Sequence, residues 1–287
     1  VGPLYLRCDA GNPGELYSSI EFINGSGPFD GVVGDCTIDN LHIGFYNDGI
    51  IALAEGNGSV VQNCELSWCG GYVTSYSSES KTSYKAGAPR SAGSLSATGV
   101  SDIRIRNNYI HEVFHAGTGV EVFAEQSDMA RSAENILIEG NVLYHCGTGL
   151  NYFNWDEGMN PEQMFKDIIF RGNYVLFSGG ADWLEDGTNV AVGIDGGANL
   201  QEGCAFVDNA FLGAADSLIY IKTYVPETLP DFEGNRYLQY DSGGYLWAGQ
   251  EHYFSSLDAQ TVVRDILKDE TGKFGVLYHP GWNTLDW

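Results

Sequence analysis

The sequence is short of proline, of basic residues and of cysteine, and it has no long apolar run. Only 8 of its 287 residues are proline. Lys and Arg together number 14 against 38 Asp and Glu, a formal net charge of −24. A field of that sign repels nucleic acid, anionic lipid and polyanionic glycans, and leaves neutral or cationic ligands as partners. No run of about 18 apolar residues occurs, so no membrane span is expected. The opening "VGPLYLRCDAGNPGELY" has neither the basic start nor the apolar centre of a signal peptide. Six cysteines, at 8, 36, 64, 69, 146 and 204, are too sparse for a disulfide scaffold. "CELSWC" is no CxxC pair, and no His/Cys set has metal spacing, so mostly buried thiols and no zinc site are expected.

What is plentiful is glycine, 38 residues, and aromatic side chains, 13%. That composition suits strands joined by many turns. A repeat then organises the chain. An Asn is followed eight residues later by Gly or Ser from Asn63 to Gly71, Asn141 to Gly149, Asn209 to Ser217 and Asn235 to Gly243. Leu41 leads to Gly49 in the same way, with Asn40 one place early, and stretched copies start at Asn108 and Asn173. Short alternating runs precede each Asn ("SVVQ", "NILIEG", "DIIFRG") and others follow each Gly ("VEVFAE", "LNYFNW", "VAVGID", "LIYIKT"). Alternation marks strands with one face buried. A unit of strand, Asn turn, short strand, Gly turn and strand, with no helical period, reads as one coil of a β-solenoid.

This pattern resembles the right-handed parallel β-helix family, the pectate-lyase-like superfamily, over roughly residues 30 to 250, on rungs such as "IEGNVLYHCGTGL". The resemblance implies a stacked ladder of Asn side chains, in which each amide donates to one neighbour and accepts from the next. The expected fold is all-β: a single-stranded right-handed parallel β-helix of about seven or more rungs, with long loops on one edge and a small C-terminal cap. Seven rungs would make a rod roughly 34 Å tall. The expected division is a β-helix over 1–250 and a cap over 251–287. Within the cap, "SSLDAQTVVRDILKD" (255–269) has helical spacing at Val262, Val263, Ile266 and Leu267, with Asp258 as N-cap. "LYLRCDAGNPGELYSSIEF" reads as strand, turn, strand, a partial first coil that an upstream domain or a partner chain would cover.

Counted from the Gly, the places +1 and +3 of each last strand are expected inward: Val120/Val122, Leu150/Tyr152, Val190/Val192 and Leu218/Tyr220. The twin stretches "HAGTGVEVF" (115–123) and "HCGTGLNYF" (145–153) then put Glu121 beside Asn151 on one outer face. Phe123, Phe153 and Trp155 join them there with Glu125, Asp156, Glu157 and Asp195. Aromatic rings among carboxylates and amides suit a neutral sugar, whose face stacks and whose hydroxyls donate. Insertions on the same edge, above all 72–100, are expected to wall a groove.

Glycoside hydrolysis needs two carboxyl groups about 5 to 9.5 Å apart. The candidate catalytic residues are Glu121, Asp195 and Asp156. The candidate substrate-binding residues are Glu125, Asn151, Trp155, Phe123, Phe153, Glu157 and His115. In a chain with 38 acids, any one of them is more often a plain solvated carboxylate, and His115 and His145 could simply bond turn carbonyls. No cofactor and no metal are assigned. "NWDEG" and "DGGANLQEG" are oxygen-rich enough for calcium but match no EF-hand loop.

The resemblance implies lyases, hydrolases, uronate epimerases, esterases and adhesins alike. The acidic balance favours a glycoside hydrolase on a neutral oligo- or polysaccharide, because uronate chemistry calls for Lys, Arg or calcium. The alternatives are a polysaccharide lyase or epimerase, and a non-catalytic glycan-binding module. "LYL…GNPG…Y…IE" and "NCE…W…GG" further resemble exported bacterial β-helix proteins, which implies a secreted or cell-surface location.

Overall fold

The alternating runs form strands because one residue in two can be buried while its neighbours stay wet. In "VVQ", "RIR" and "AFV" the middle residue, Val61, Ile105 or Phe206, is fully buried between half-buried neighbours. The computed structural model of the chain describes residues 13–16, 34–46, 57–69, 72–75, 83–85, 90–92, 100–124, 132–156, 164–179, 189–195 and 200–277.

The chain visits three parallel sheets in turn. The first sheet runs from Thr37–Asp39 through Val60–Gln62, Arg104–Arg106, Ser132–Glu139, Met164–Arg171 and Ala205–Val207 to Asp231–Glu233. The second runs from His42–Tyr46 through Glu65–Cys69, Tyr109–Val113, Val142–Tyr144, Tyr174–Ser178, Ala210–Ala214 and Arg236–Tyr240 to Lys273–Leu277. The third holds Arg90–Ala92, Ala116–Ala124, Thr148–Asp156, Val190–Asp195, Ser217–Ile221 and Gly244–Ala248, closed by the antiparallel Glu251–Phe254. Each sheet stacks successive copies of the repeat, an all-β arrangement compatible with a β-helix. Among the described residues no helix is long and apolar enough to cross a membrane.

The amide ladder is present. Asn108, Asn141, Asn173, Asn209 and Asn235 are buried, and each Nδ2 donates at 3.0 Å to the Oδ1 of the next. Each also donates to a backbone carbonyl of the previous coil, as Asn173 does to Ile138 O at 2.9 Å. Asp269 ends the ladder, accepting from Asn235 Nδ2 and from the Tyr237 hydroxyl, both at 3.0 Å. Asn63 is one place off the expected register. It turns the corner at φ +54°, and Cys64 takes the ladder position. Cys64 N–H donates to Asn108 Oδ1 at 2.9 Å, while its thiol lies 3.8 Å from Ile38 O, where a ladder amide would donate. Cys64→Asn is therefore expected to raise stability by about 1 kcal/mol by replacing a weak S–H donor with an amide, measured by urea unfolding.

Aromatic rings stack along the core beside the ladder. Phe170, Phe206 and Phe232 lie parallel with centroids 4.4 and 5.1 Å apart. Tyr152 meets Phe165 edge-on at 4.8 Å, and its hydroxyl donates to Gln201 Oε1 at 2.6 Å. Burial pushes the phenols of Tyr152 and Tyr237 well above the usual tyrosine value. The folded state thus favours the neutral phenols. Their stabilising contribution is complete below the unfolded value of about 10 and is lost as pH rises above it toward the folded values. The part of the denaturant midpoint that these two phenols supply is expected to be constant below about pH 10 and to fall beyond it.

The helix expected near the C-terminus spans Leu257–Leu267. Its N-cap is Ser256, not Asp258, and the Ser256 hydroxyl accepts from Ala259 N–H at 3.2 Å. Val263 and Leu267 pack into the core and Val262 faces out. Within the N-terminal stretch read as strand, turn, strand, Pro13–Leu16 is a helical turn, with Pro at its start where a missing N–H costs nothing. Part of 72–100 is regular as well. Tyr72–Ser75 and Ser83–Lys85 pair antiparallel, and Arg90–Ala92 joins the third sheet. The described cysteines are free; all but the half-buried Cys36 are buried, and burial pushes the Cys146 thiol up to about 12.

Candidate functional site

The third sheet carries the predicted site residues, in a register shifted from the one the twin stretches suggest. Val142–Tyr144 pairs with Tyr109–His111, which brings Glu112 and His145 together at the next corner. Two residues then separate Val113 from Ala116, where one separates Cys146 from Thr148. The extra residue sets Ala116 opposite Thr148 and Gly117 opposite Gly149. Those glycines are needed for close approach. A Cβ on Gly149 would lie 2.2 Å from Val175 Cγ1, and one on Gly117 would lie 2.6 Å from Leu143 Cδ2.

Glu121 therefore pairs with Phe153, not with Asn151, and Phe153 pairs in turn with Asp195. Ala92 stands on the far side of Glu121. Beyond Asp195 comes Lys222, whose N–H donates to Ile194 O at 3.0 Å. The Lys222 ammonium lies 5.7 Å from the centroid of the half-buried Phe153 ring. One register column thus reads Ala92, Glu121, Phe153, Asp195, Lys222. It adjoins the buried column Val120, Tyr152, Ile194, Ile221. Two strand spacings separate Glu121 from Asp195, about 10 Å between backbones.

The other predicted residues fall elsewhere. Phe123 pairs with Trp155, and Ala124 with Asp156, so Asp156 shares a column with neither Glu121 nor Asp195. Asn151, expected on an open face, is only 5% exposed and stands between Gly119 and Gly193. A Cβ on Gly193 would sit 3.2 Å from Asn151 Oδ1, so the amide fills the space the glycine leaves. Of the expected inward pair Leu218/Tyr220, Leu218 is fully buried, as are Ile219 and Ile221, but Tyr220 is only half-buried and meets Trp247 edge-on at 5.1 Å. His115 is half-buried before the third-sheet strand and is no equivalent of His145; its carbonyl accepts from Thr148 N–H at 2.7 Å. Glu125 and Glu157 lie outside the described residues.

Comparison with family models, curated proteins and solved structures finds no match for the chain. The site is therefore argued from its own residues. Among the described residues no group of three or more His, Cys, Asp or Glu is placed to hold a metal ion. A cleft of about 480 Å³ lies at the last strand of the first sheet, between Pro226–Glu233 and the end of the C-terminal helix. It contains Glu227, Asp231, Glu233 and Glu270 but no residue of the third-sheet column.

A second concentration of chemistry escapes the sequence reading. The coil turns three corners per copy, and each corner is a stack of residues at positive φ. Two residues ahead of the stretch shared by all the first-sheet strands the stack is Asp35, Gly58, Asp102, Asn135, Asp167 and Gly203, of which Asn135 and Asp167 bend the longer strands Ser132–Glu139 and Met164–Arg171. Between the first and second sheets it is Asn40, Asn63, Asn107, Gly140, Gly172, Asp208 and Gly234. Every member is Asn, Asp or Gly, the residues that enter this conformation readily. Near the ends of the second-sheet strands the stack is Phe45, Trp68, Glu112, His145, Phe177 and Gly213, the corner that leads out of the second sheet. Bulky side chains pay roughly 1–2 kcal/mol each for that backbone. Phe45 is nevertheless 55% exposed, Trp68 51% and Phe177 37%, so core burial does not repay the strain. Local strain kept without packing is characteristic of functional positions.

Proposed function

We propose that the chain is a right-handed parallel β-helix of the pectate-lyase-like superfamily, with about seven or more rungs, acting as a secreted or cell-surface glycoside hydrolase on a neutral oligo- or polysaccharide. The observation that carries this reading is the column Glu121, Phe153, Asp195, in which two acids flank one aromatic residue. Their backbone separation of about two strand spacings suits carboxyl groups roughly 6.5–9.5 Å apart, the inverting arrangement with room for a water. Lys222 follows Asp195 in the column and brings a cation over Phe153. Asp195 is then the base that activates water, and Glu121, in register with Phe153, is the acid that protonates the leaving oxygen. The net charge of −24 selects against uronate polymers.

The Lys222 ammonium over Phe153 is also the observation that favours a second reading, a polysaccharide lyase or epimerase, since a cation at that place could stabilise an enolate. A reducing-end screen over neutral plant and host glycans separates the two. New reducing ends without the ultraviolet absorbance of an unsaturated uronate support the hydrolase; that absorbance, from an acidic glycan, supports the lyase.

A further inference from the structure

The corner after the second sheet bears five large side chains in consecutive copies: Phe45, Trp68, Glu112, His145 and Phe177. At about 4.8 Å per copy they form a ridge roughly 19 Å long, parallel to the stacking direction. At one end the Phe45 and Trp68 rings are parallel within 1°, with centroids 6.2 Å apart. At the other end Phe177 stacks on Tyr240 at 6.5 Å and meets Tyr144 edge-on at 6.1 Å. The next corner position makes this contact possible, because a Cβ on Gly213 would lie 3.0 Å from Phe177 and 3.1 Å from Tyr240. Between the two aromatic ends sits a polar centre. His145 Nδ1 lies 3.5 Å from Glu112 Oε1, and the His145 ring stacks on Tyr144 at 4.4 Å. His111 Nε2 lies 3.2 Å from Glu65 Oε1 in the adjoining strands.

We infer that this ridge binds an extended neutral glycan lying along the stack. The other two corners show which residues the backbone geometry prefers, and this corner departs from them while leaving its side chains in solvent. Aromatic faces at both ends offer platforms for the C–H faces of sugar rings. The carboxylate and imidazole between them offer an acceptor and a donor for hydroxyls. One copy of the coil advances the ridge by about the length of one pyranose, so successive sugars meet successive side chains. The overall negative charge disfavours an anionic chain in the same place. The inference does not rest on the hydrolase reading, because the ridge and the carboxylate column belong to different faces of the coil.

The test is calorimetric titration of the full chain with cellohexaose, xylohexaose, mannohexaose and a hexagalacturonate. The Glu121→Gln chain is used throughout, so that no sugar is consumed. At least one neutral hexasaccharide is expected to bind. Trp68→Asn and Phe177→Asn are each expected to weaken that binding at least tenfold or to remove one binding event. Trp68→Phe is expected to retain it. The two Asn variants are also expected to keep or raise the melting temperature, since Asn suits a positive φ. Four results would overturn the inference: no neutral hexasaccharide binds, the hexagalacturonate binds as well or better, the Asn variants bind unchanged, or their melting temperatures fall. If the Glu121→Gln chain binds at the ridge while the unsubstituted chain hydrolyses no neutral glycan, the hydrolase reading alone is refuted.

Discussion

Asn173→Ala is expected to destabilise the fold by about 3–6 kcal/mol, enough to consume most of a typical domain's stability. Asn173 stands mid-ladder and is fully buried. Its Nδ2 donates to Ile138 O at 2.9 Å and to Asn209 Oδ1 at 3.0 Å. Its Oδ1 accepts from Asn141 N–H at 3.1 Å and from Asn141 Nδ2 at 3.0 Å. Alanine deletes all four bonds and strands polar groups on both neighbouring coils. A buried group left without its partner costs about 1–3 kcal/mol, far more than the net worth of an exchangeable hydrogen bond. Chemical unfolding of the variant beside the parent checks the value. A loss below about 1 kcal/mol would mean that the ladder fills space without holding the coils together.

Glu121→Gln and Asp195→Asn are each expected to lower hydrolysis of a neutral glycan by about a hundredfold to ten-thousandfold, the usual worth of a positioned acid or base. Both replacements keep shape and remove the ability to exchange a proton at neutral pH. Their effects should be far from additive, because the acid and the base act on the same transition state. Asp156→Asn should cost less, since Asp156 pairs with Ala124 and shares a column with neither catalytic candidate.

Much of the architecture could be read from periodicity alone. Runs such as "VVQ" and "AFV" mark their buried residue by alternation, and five of the six Asn positions that begin repeat copies are ladder members. The misreadings have separate physical causes. Asn serves both a positive-φ corner and the ladder one residue later, so Asn63 looked like a ladder member while Cys64 held that place. The second-sheet register would set Glu121 opposite Asn154; the extra residue before Ala116 sets it opposite Phe153, two places from the Asn151 that the near-identical twin stretches suggest. Arg90–Ala92 joins the third sheet through backbone hydrogen bonds, which leave no pattern in "RSA". The corner after the second sheet was hidden most completely. Positive φ is signalled in sequence by Asn, Asp and Gly, and that corner holds Phe, Trp, Glu and His instead.

Proton NMR of the first sugar released from a neutral glycan tests the central claim most directly, read before the anomers equilibrate. Two acids standing across Phe153, two strands apart, require room for a water between them, so the released sugar should carry the inverted anomeric configuration. Release with retained configuration, or of an unsaturated uronate, would contradict the assignment of Glu121 and Asp195 as an acid and base pair.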